Sequence, residues 1–168
     1  GLQRIGADRS RCIKVAASVI RSFTHRSMDE PEKSIGRLGA LQAYEHAGLG
    51  PDDMDVAEVH DASAMGEILQ SENLGLVPPG GGGPAAERGE FTLGGRIPIN
   101  PSGGLESKGH PLGATGLGQI YELVTQLRSE AGALRLLVLE ARHHRGQLGV
   151  VGGSRDLLEA LDGAEVLR

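Results

Sequence analysis

Residues 100–118, NPSGGLESKGHPLGATGLG, place one histidine among closely spaced glycines directly before a helical pattern. Glycine is used where the backbone turns sharply or approaches a ligand closely. Imidazole is a group that gains and loses a proton close to neutral pH, so a histidine such as His110 can take a proton from a thiol or polarise a carbonyl group. The glycine density favours such a role over that of a loop histidine bonded only to backbone.

A second candidate is His60, at the end of the β-branched run VAEVH over residues 56–60. In one interpretation His60 projects from a strand end into a cleft, and Asp61 or Glu58 orients its ring. In the other, His60 is half-buried and Asp61 caps the following helix. The residues alone leave both interpretations open.

The polar residues of the glycine-rich segment have weaker assignments. Ser102, Ser107 and Thr115 can bond a substrate, although serine and threonine in such loops more often serve turns and caps. Lys108 is expected to be solvated or to touch a phosphate group. A phosphate-binding loop is not indicated, because the pattern G-x-x-x-x-G-K-[ST] does not occur in the sequence.

Other kinds of site are disfavoured. His143 and His144 are adjacent, so on a strand they would face opposite sides and could not easily share a metal ion. Ser63 lacks the G-x-S-x-G pattern of a hydrolase nucleophile. Cys12 is the only cysteine, which excludes an internal disulfide and a cysteine-based metal site and suits a reducing cytosol. We therefore predict no metal site, and we expect Cys12 to be a buried, unreactive thiol.

Composition disfavours two classes of partner. With 17 Lys and Arg against 22 Asp and Glu, and with no Trp, two Tyr and two Phe, the chain lacks the cations and aromatics that nucleic-acid binding uses. The apolar runs are shorter than the ~20 residues of a membrane span. We expect a cytoplasmic protein with no nucleic-acid or membrane partner. The start Gly1-Leu2-Gln3, without a basic and apolar leader, suggests a fragment or a processed chain.

Alternating strand and helix patterns must position these groups, so the sequence predicts an α/β domain whose ligands lie at strand ends. Apolar residues at three-residue spacing predict a helix over 34–47, with Ser34 as N-cap and Gly48 at its end. Residues 78–84 (PPGGGGP) are expected to be irregular and flexible, as a lid or an insertion. The other expected elements are strands over 13–20 (buried), 56–60 and 134–139 and near 150–151, and helices over about 64–73, 114–129 and 156–161.

The segment NPSGGLESKGHPLGATGLGQIYELVTQLR closely resembles the signature loop and helix of thiolases, approximately N-x-x-G-G-x-x-x-x-G-H-P-x-G-[AS]-[ST]-G. Residues 43–76 resemble the helix, turn and strand that lead into a second motif of this family. In sterol-carrier-type thiolases and related acetyl-CoA acetyltransferases that motif begins His-Asp, as His60-Asp61 does here, whereas Ser63 stands where Phe is usual. The resemblance covers about residues 34–130.

The resemblance implies a fold and an assembly. Residues 31–168 would form a thiolase-like C-terminal domain of α/β class, a mixed β-sheet flanked by helices, and residues 1–30 would end a preceding domain or form a connecting strand. Thiolases combine two such halves in a five-layer α-β-α-β-α arrangement and form tight dimers. The reactive cysteine comes from the N-terminal half. We therefore expect a homodimer or a pairing with a separate N-terminal half.

The resemblance also implies roles for individual residues. His110 would activate the nucleophilic cysteine and help to hold the thioester oxygen, and His60 would fix a catalytic water or an oxyanion contact. Gly103, Gly104 and Gly109, with Ser102, would let the loop approach the thioester of an acyl-CoA. Coenzyme A would enter as part of the substrate, and no cofactor is expected.

Two departures from the family keep the reaction open. The first is the nucleophile, since Cys12 lies in the wrong context for it. The second is the late motif: the family usually has Cys-x-Gly or His-Asn-x-Gly-Gly there, whereas residues 140–153 (EARHHRGQLGVVGG) hold no cysteine. His143 or His144 would have to replace the missing base. The main hypothesis is an acyl-CoA acyltransferase that performs Claisen condensation or thiolytic cleavage. The alternatives are a retro-aldolase on steroid side-chain CoA esters, working with a small zinc-ribbon and OB-fold partner, or a non-catalytic CoA-binding subunit.

Overall fold

The computed structural model of the chain describes residue 8 and residues 11–22, 25–27 and 29–134. This part contains five α-helices: α1 (Ile35–Ala47), α2 (Ala64–Asn73), α3 (Gly82–Glu87), α4 (Gly104–Lys108) and α5 (Thr115–Leu127). Across these residues, none of the helices combines the length and the apolar character needed to cross a membrane. The predicted elements near 150–151 and over 156–161, nearly all of the strand predicted over 134–139, and His143 and His144 lie outside the described residues.

The predicted boundaries of α1 and α2 are confirmed, because both helices have the end groups that their sequences indicate. The amide of Arg37 donates to the Ser34 hydroxyl oxygen at 3.2 Å, which caps the start of α1. Gly48 ends α1 in the left-handed conformation, with φ 67°. At the start of α2 the Gly66 amide donates to the Ser63 hydroxyl at 3.1 Å, so Ser63, and not Asp61, is the N-cap.

The core lies where α1, α2 and α3 meet two extended segments around residues 56–60 and 97–100. The buried Tyr44 side chain crosses it, and its hydroxyl donates to the carbonyl of Leu74 at 2.9 Å. This bond satisfies the polar end of a ring that is otherwise surrounded by apolar groups. The core side chains are Ala40, Tyr44, Ala57, Val59, Leu74, Leu76, Val77, Ala85, Phe91, Ile97 and Ile99.

The predicted mixed sheet is not confirmed, since the β pairing of residues 56–60 is a single parallel bridge between Ala57 and Ile99. The Ala57 amide donates to Pro98 O at 3.0 Å, and the Asn100 amide donates to Ala57 O at 2.8 Å. The ladder stops at Asn100, whose φ of 51° turns its carbonyl away from the neighbouring segment. The bridge nevertheless places the predicted strand before His60 directly beside the start of the glycine-rich loop.

The prediction of a buried strand over residues 13–20 is wrong. Apart from one bridge position at Val15 this segment has no regular structure, and Val15 and Ile20 are 73% and 56% exposed. Cys12, expected to be buried, is exposed as well. A continuous β-branched run indicates a strand with neighbours on both faces, and the described residues do not supply them.

The expectation of an irregular segment over residues 78–84 is confirmed for residues 78–81 and wrong for the rest, because α3 begins at Gly82 and packs against α2. The flexible lid stays a prediction. Pro84 is tolerated there since it lies in the first turn, where its missing amide hydrogen would have no helical partner. Gly82 is buried, and a Cβ atom at this position would lie 2.8 Å from Ile68 Cγ2 and 2.9 Å from Ile68 O. The glycine therefore permits close packing of two helices.

Replacement of Gly82 by alanine is expected to destabilise the fold by about 1–3 kcal/mol, because the added methyl group overfills the contact with Ile68. Gly83→Ala is the matched control, since a Cβ at Gly83 meets no atom within 4 Å. The control should be neutral or stabilising by about 0.5 kcal/mol. Urea unfolding of both variants tests this, and equal stabilities would contradict the close-packing argument.

Candidate functional site

The two candidate histidines meet in space. The ring centroids of His60 and His110 are 4.7 Å apart, and the ring planes cross at 84°, an edge-to-face contact. His60 is half-buried at the end of the segment over 56–60, and His110 is exposed between α4 and α5. Two imidazoles distant in sequence are thus brought to one place, with one of them open to the surroundings.

The ring of His110 is anchored to the first residue of α5. Its Nδ1 lies 2.8 Å from the hydroxyl oxygen of Thr115, which in turn donates to Pro111 O at 3.1 Å. Thr115 is only 5% exposed, so these bonds form largely out of water. One edge of the imidazole is therefore held in position while the rest of the ring remains accessible.

Glu58 attaches the glycine-rich loop to the core. The residue is 2% exposed, and its carboxylate accepts hydrogen bonds from the amide of Ser102, at 3.0 Å, and from the hydroxyl of Ser102, at 2.8 Å. A carboxylate that accepts two such bonds fixes both the position and the orientation of the loop residue. Ser102 is thus bonded to Glu58 in this structure, and the carboxylate of Glu58 is directed to the loop and not to the ring of His60.

Asp61 holds the same loop at a second point. The residue is 4% exposed, and its carboxylate accepts a hydrogen bond at 2.8 Å from the amide of Leu105, in the first turn of α4. The approach is so close that a Cβ on Gly104 would lie 1.9 Å from Asp61 Oδ2. Neither predicted role of Asp61, orienting His60 or capping α2, is what the structure shows: Asp61 positions the loop.

Asn100 is the third attachment of the loop. Its backbone carbonyl accepts a hydrogen bond from the Gly103 amide at 2.8 Å. Its side-chain oxygen accepts one from the Val59 amide at 2.8 Å, as a backbone carbonyl would if the strand pairing continued. The side-chain nitrogen donates to Glu67 Oε2 at 2.9 Å. Burial raises the pKa of Glu67, while this hydrogen bond favours its charged form.

Lys108 is exposed, as expected for a solvated side chain, and it also takes part in the attachment of the loop. Its ammonium group lies 3.6 Å from Glu58 Oε2 and donates to the hydroxyl of Ser102. Burial raises the pKa of Glu58, and the bonds from Ser102 and the charge of Lys108 offset only part of that effect. The loop is thus attached by a buried carboxylate that is costly to ionise.

The contribution of Glu58 to the free energy of unfolding is expected to fall as pH rises above about 4.3, the ordinary pKa of glutamate. Because the folded state holds this proton more tightly than the unfolded chain, the contribution is complete at lower pH and is lost through the folded-state pKa. Glu58→Gln removes the titration, so the variant should lose less stability over this range in urea unfolding. Glu87→Gln, at an exposed position, is the control. Parallel curves for Glu58→Gln and the wild type would contradict the prediction.

Three glycines of the loop have positive φ angles: 92° at Gly103, 64° at Gly104 and 86° at Gly109. A Cβ atom at Gly109 would meet no atom within 4 Å outside the two adjacent residues. This position therefore requires glycine for its backbone conformation and leaves open space next to His110.

The described residues contain no group of three or more His, Cys, Asp or Glu side chains that could hold a metal ion. The candidate site in this part of the chain is thus built from imidazole, hydroxyl and backbone groups on a loop attached by carboxylates.

Three residues contribute more to the site than the sequence indicates. Thr115 was expected to act as a turn or cap residue, and Asn100 and Glu67 were not singled out. A signal existed for Asn100, because asparagine tolerates positive φ angles and it precedes Pro-Ser-Gly-Gly. No local signal marks Glu67, since its partner lies 33 positions away.

The chain was compared with known proteins. The family model described as "Thiolase C-terminal domain-like" matches residues 17–150. Over 130 residues the chain is 59% identical to sterol carrier protein 2 of Rattus norvegicus, a match that covers 74% of this chain and 24% of the relative. It is 53% identical over 93 residues to an acetyl-CoA acetyltransferase of Methanothermobacter thermautotrophicus, covering 55% of this chain and 24% of that protein.

A solved structure named Ltp2-ChsH2(DUF35) aldolase is also similar, with a TM-score of 0.51 and 30% sequence identity. The match covers 57% of this chain and 24% of that chain. The present chain thus spans about a quarter of the length of the proteins it resembles.

Proposed function

The chain belongs to the thiolase superfamily, as its C-terminal domain, and we propose that it supplies the C-terminal half of the active site of an acyl-CoA acyltransferase. The reaction would be thiolytic cleavage of a 3-oxoacyl-CoA or the reverse Claisen condensation. The nucleophilic cysteine would come from an N-terminal thiolase half, and the assembly would be dimeric.

The observation that carries this proposal is the contact between His60 and His110, whose ring centroids are 4.7 Å apart. His110 lies on a loop that is attached to the core at Asn100, Ser102 and Leu105. Catalytic groups need a defined position before the substrate arrives. Glu58, Asp61 and Asn100 provide that rigidity from the side of the core. The open space at Gly109 provides room for a ligand beside the accessible imidazole.

The chemistry follows from the properties of these groups. His110 would accept the proton of a thiol, and the resulting thiolate would attack the carbonyl carbon of the acyl group. His60 would donate a hydrogen bond, directly or through a water molecule, to the oxygen on which negative charge develops. Backbone N–H groups of the glycine-rich loop would donate hydrogen bonds to the thioester.

A thiolysis assay tests the proposal. The chain is combined with a thiolase N-terminal half, in one polypeptide or as two, and is given acetoacetyl-CoA and free CoA. Thiolysis that requires this chain supports the acyltransferase. If the assembled protein neither binds nor converts an acyl-CoA, the proposal is wrong.

A second candidate function is aldol cleavage of a steroid side-chain CoA ester together with a zinc-ribbon and OB-fold partner. The specific observation in its favour is the 30% identity to a structure named as an aldolase with a DUF35 partner. Cleavage without free CoA, dependent on the partner, would favour this reaction. Binding of CoA without turnover in the presence of every partner would instead favour a non-catalytic subunit.

A further inference from the structure

We infer that Thr115 is a positioning residue that selects the tautomer of His110, so that Nδ1 carries the proton and Nε2 is free to accept one. The catalytic consequence rests on the proposed function. The tautomer itself does not, because it follows from the hydrogen bonds around the ring.

The inference comes from counting protons. A threonine hydroxyl has one proton to donate and two lone pairs to accept with. Thr115 Oγ1 lies 3.1 Å from Pro111 O, an oxygen that has no proton of its own, so the hydroxyl proton lies between these two atoms. The contact of 2.8 Å between Thr115 Oγ1 and His110 Nδ1 then requires the proton on Nδ1.

The opposite arrangement is unfavourable. If the hydroxyl donated to Nδ1, its lone pairs would face those of Pro111 O, which also accepts the amides of Ala114 and Thr115 at 2.8 and 2.9 Å. Thr115 is 5% exposed, so water would do little to relieve this contact between two acceptors. The backbone at the start of α5 therefore orients the hydroxyl, and the hydroxyl orients the imidazole.

The consequence concerns the reactive nitrogen. Neutral histidine in water favours the tautomer with the proton on Nε2, and in that form Nε2 cannot accept a proton. With the proton held on Nδ1, Nε2 presents a lone pair on the part of the ring that Thr115 does not contact. A residue that sets which nitrogen is protonated therefore decides which nitrogen of the imidazole can act as the base.

The first test is spectroscopic and needs no turnover. The 168-residue chain is labelled with ¹⁵N-histidine, and the ring nitrogens are followed by long-range ¹H–¹⁵N correlation at alkaline pH; loss of signals in His110→Gln assigns the ring. We expect the wild type to show a protonated Nδ1. Thr115→Val, which keeps the branched shape and removes the hydroxyl, should shift the ring toward protonated Nε2, and Thr115→Ser should restore the wild-type pattern. A protonated Nε2 in the wild type, or an unchanged ring in Thr115→Val, would overturn the inference.

The second test separates this inference from the proposed function. In the thiolysis assay of the assembled protein, Thr115→Val should lower kcat by about 10- to 1000-fold with little change in KM, since a wrong tautomer impairs proton transfer more than binding. Thr115→Ser should stay close to the wild type. A rate loss in Thr115→Val without a tautomer change would assign Thr115 a purely structural role and reject the inference. Absence of turnover in the wild type would reject the proposed function and leave the spectroscopic result to decide the tautomer.

Discussion

Replacement of His110 by alanine is expected to reduce the rate of acyl transfer by about 10²- to 10⁴-fold, the range that positioned general bases and oxyanion donors provide. The chain should stay folded, because His110 is exposed and the backbone around it is attached through Ser102 and Leu105. The measurements are thiolysis of acetoacetyl-CoA by the assembled protein and thermal unfolding of the variant.

The matched control is His46→Ala. His46 is also exposed, but it lies in the last turn of α1 and outside the contact between the two candidate rings. This variant should keep the wild-type rate. If His110→Ala were as active as His46→Ala, the role proposed for His110 would be wrong, whatever the fold of the assembled protein.

The second large effect is expected for Gly104→Ala, which should destabilise the protein by about 3–5 kcal/mol. The residue has a φ of 64°, and a left-handed conformation costs a residue with a side chain about 1–2 kcal/mol. The new methyl group would also occupy the position of Asp61, 1.9 Å from Oδ2. Asp61 would have to move and leave its bond to the Leu105 amide, and hydrogen bonds to charged groups contribute about 1.5–3 kcal/mol.

Gly118→Ala is the matched control for this substitution. Gly118 lies inside α5, and a Cβ there would meet no atom within 4 Å. Alanine is favoured over glycine in a helix by about 0.8–1 kcal/mol, so this variant should be stabilised. Urea unfolding of both variants provides the comparison. Destabilisation of Gly104→Ala by less than about 1 kcal/mol would contradict the attachment of the loop by Asp61.

The helices show which features of the fold could be predicted locally. The N-caps of α1 and α2 are Ser34 and Ser63, and the C-cap of α1 is the left-handed Gly48. Such ends can be predicted because capping depends on atoms only a few positions apart in the sequence. The covered face was harder to predict. The apolar side chains of Met65 and Leu69 in α2 are 64% and 52% exposed, since other elements decide which face of a helix is covered.

The candidate site shows the same division. The residue types and the glycine spacing of residues 100–118 indicate a loop with a reactive imidazole, and the thiolase resemblance rests on those residues. The carboxylates were a different matter. One interpretation of the sequence had Asp61 or Glu58 orient His60, yet each bonds a backbone amide 44 positions away, on Leu105 and Ser102.

The amino-acid sequence thus determined the family, the ends of α1 and α2 with the left-handed Gly48, and the identity of both imidazoles, because each depends on a short stretch of chain or on a motif within it. Only the tertiary structure decided that His60 and His110 lie edge to face, that buried carboxylates attach the loop, and that Thr115 anchors the ring. The physical reason is that a hydrogen bond or a ring contact requires atoms within a few ångströms, and the path of the backbone between distant residues, not their spacing in sequence, sets that distance.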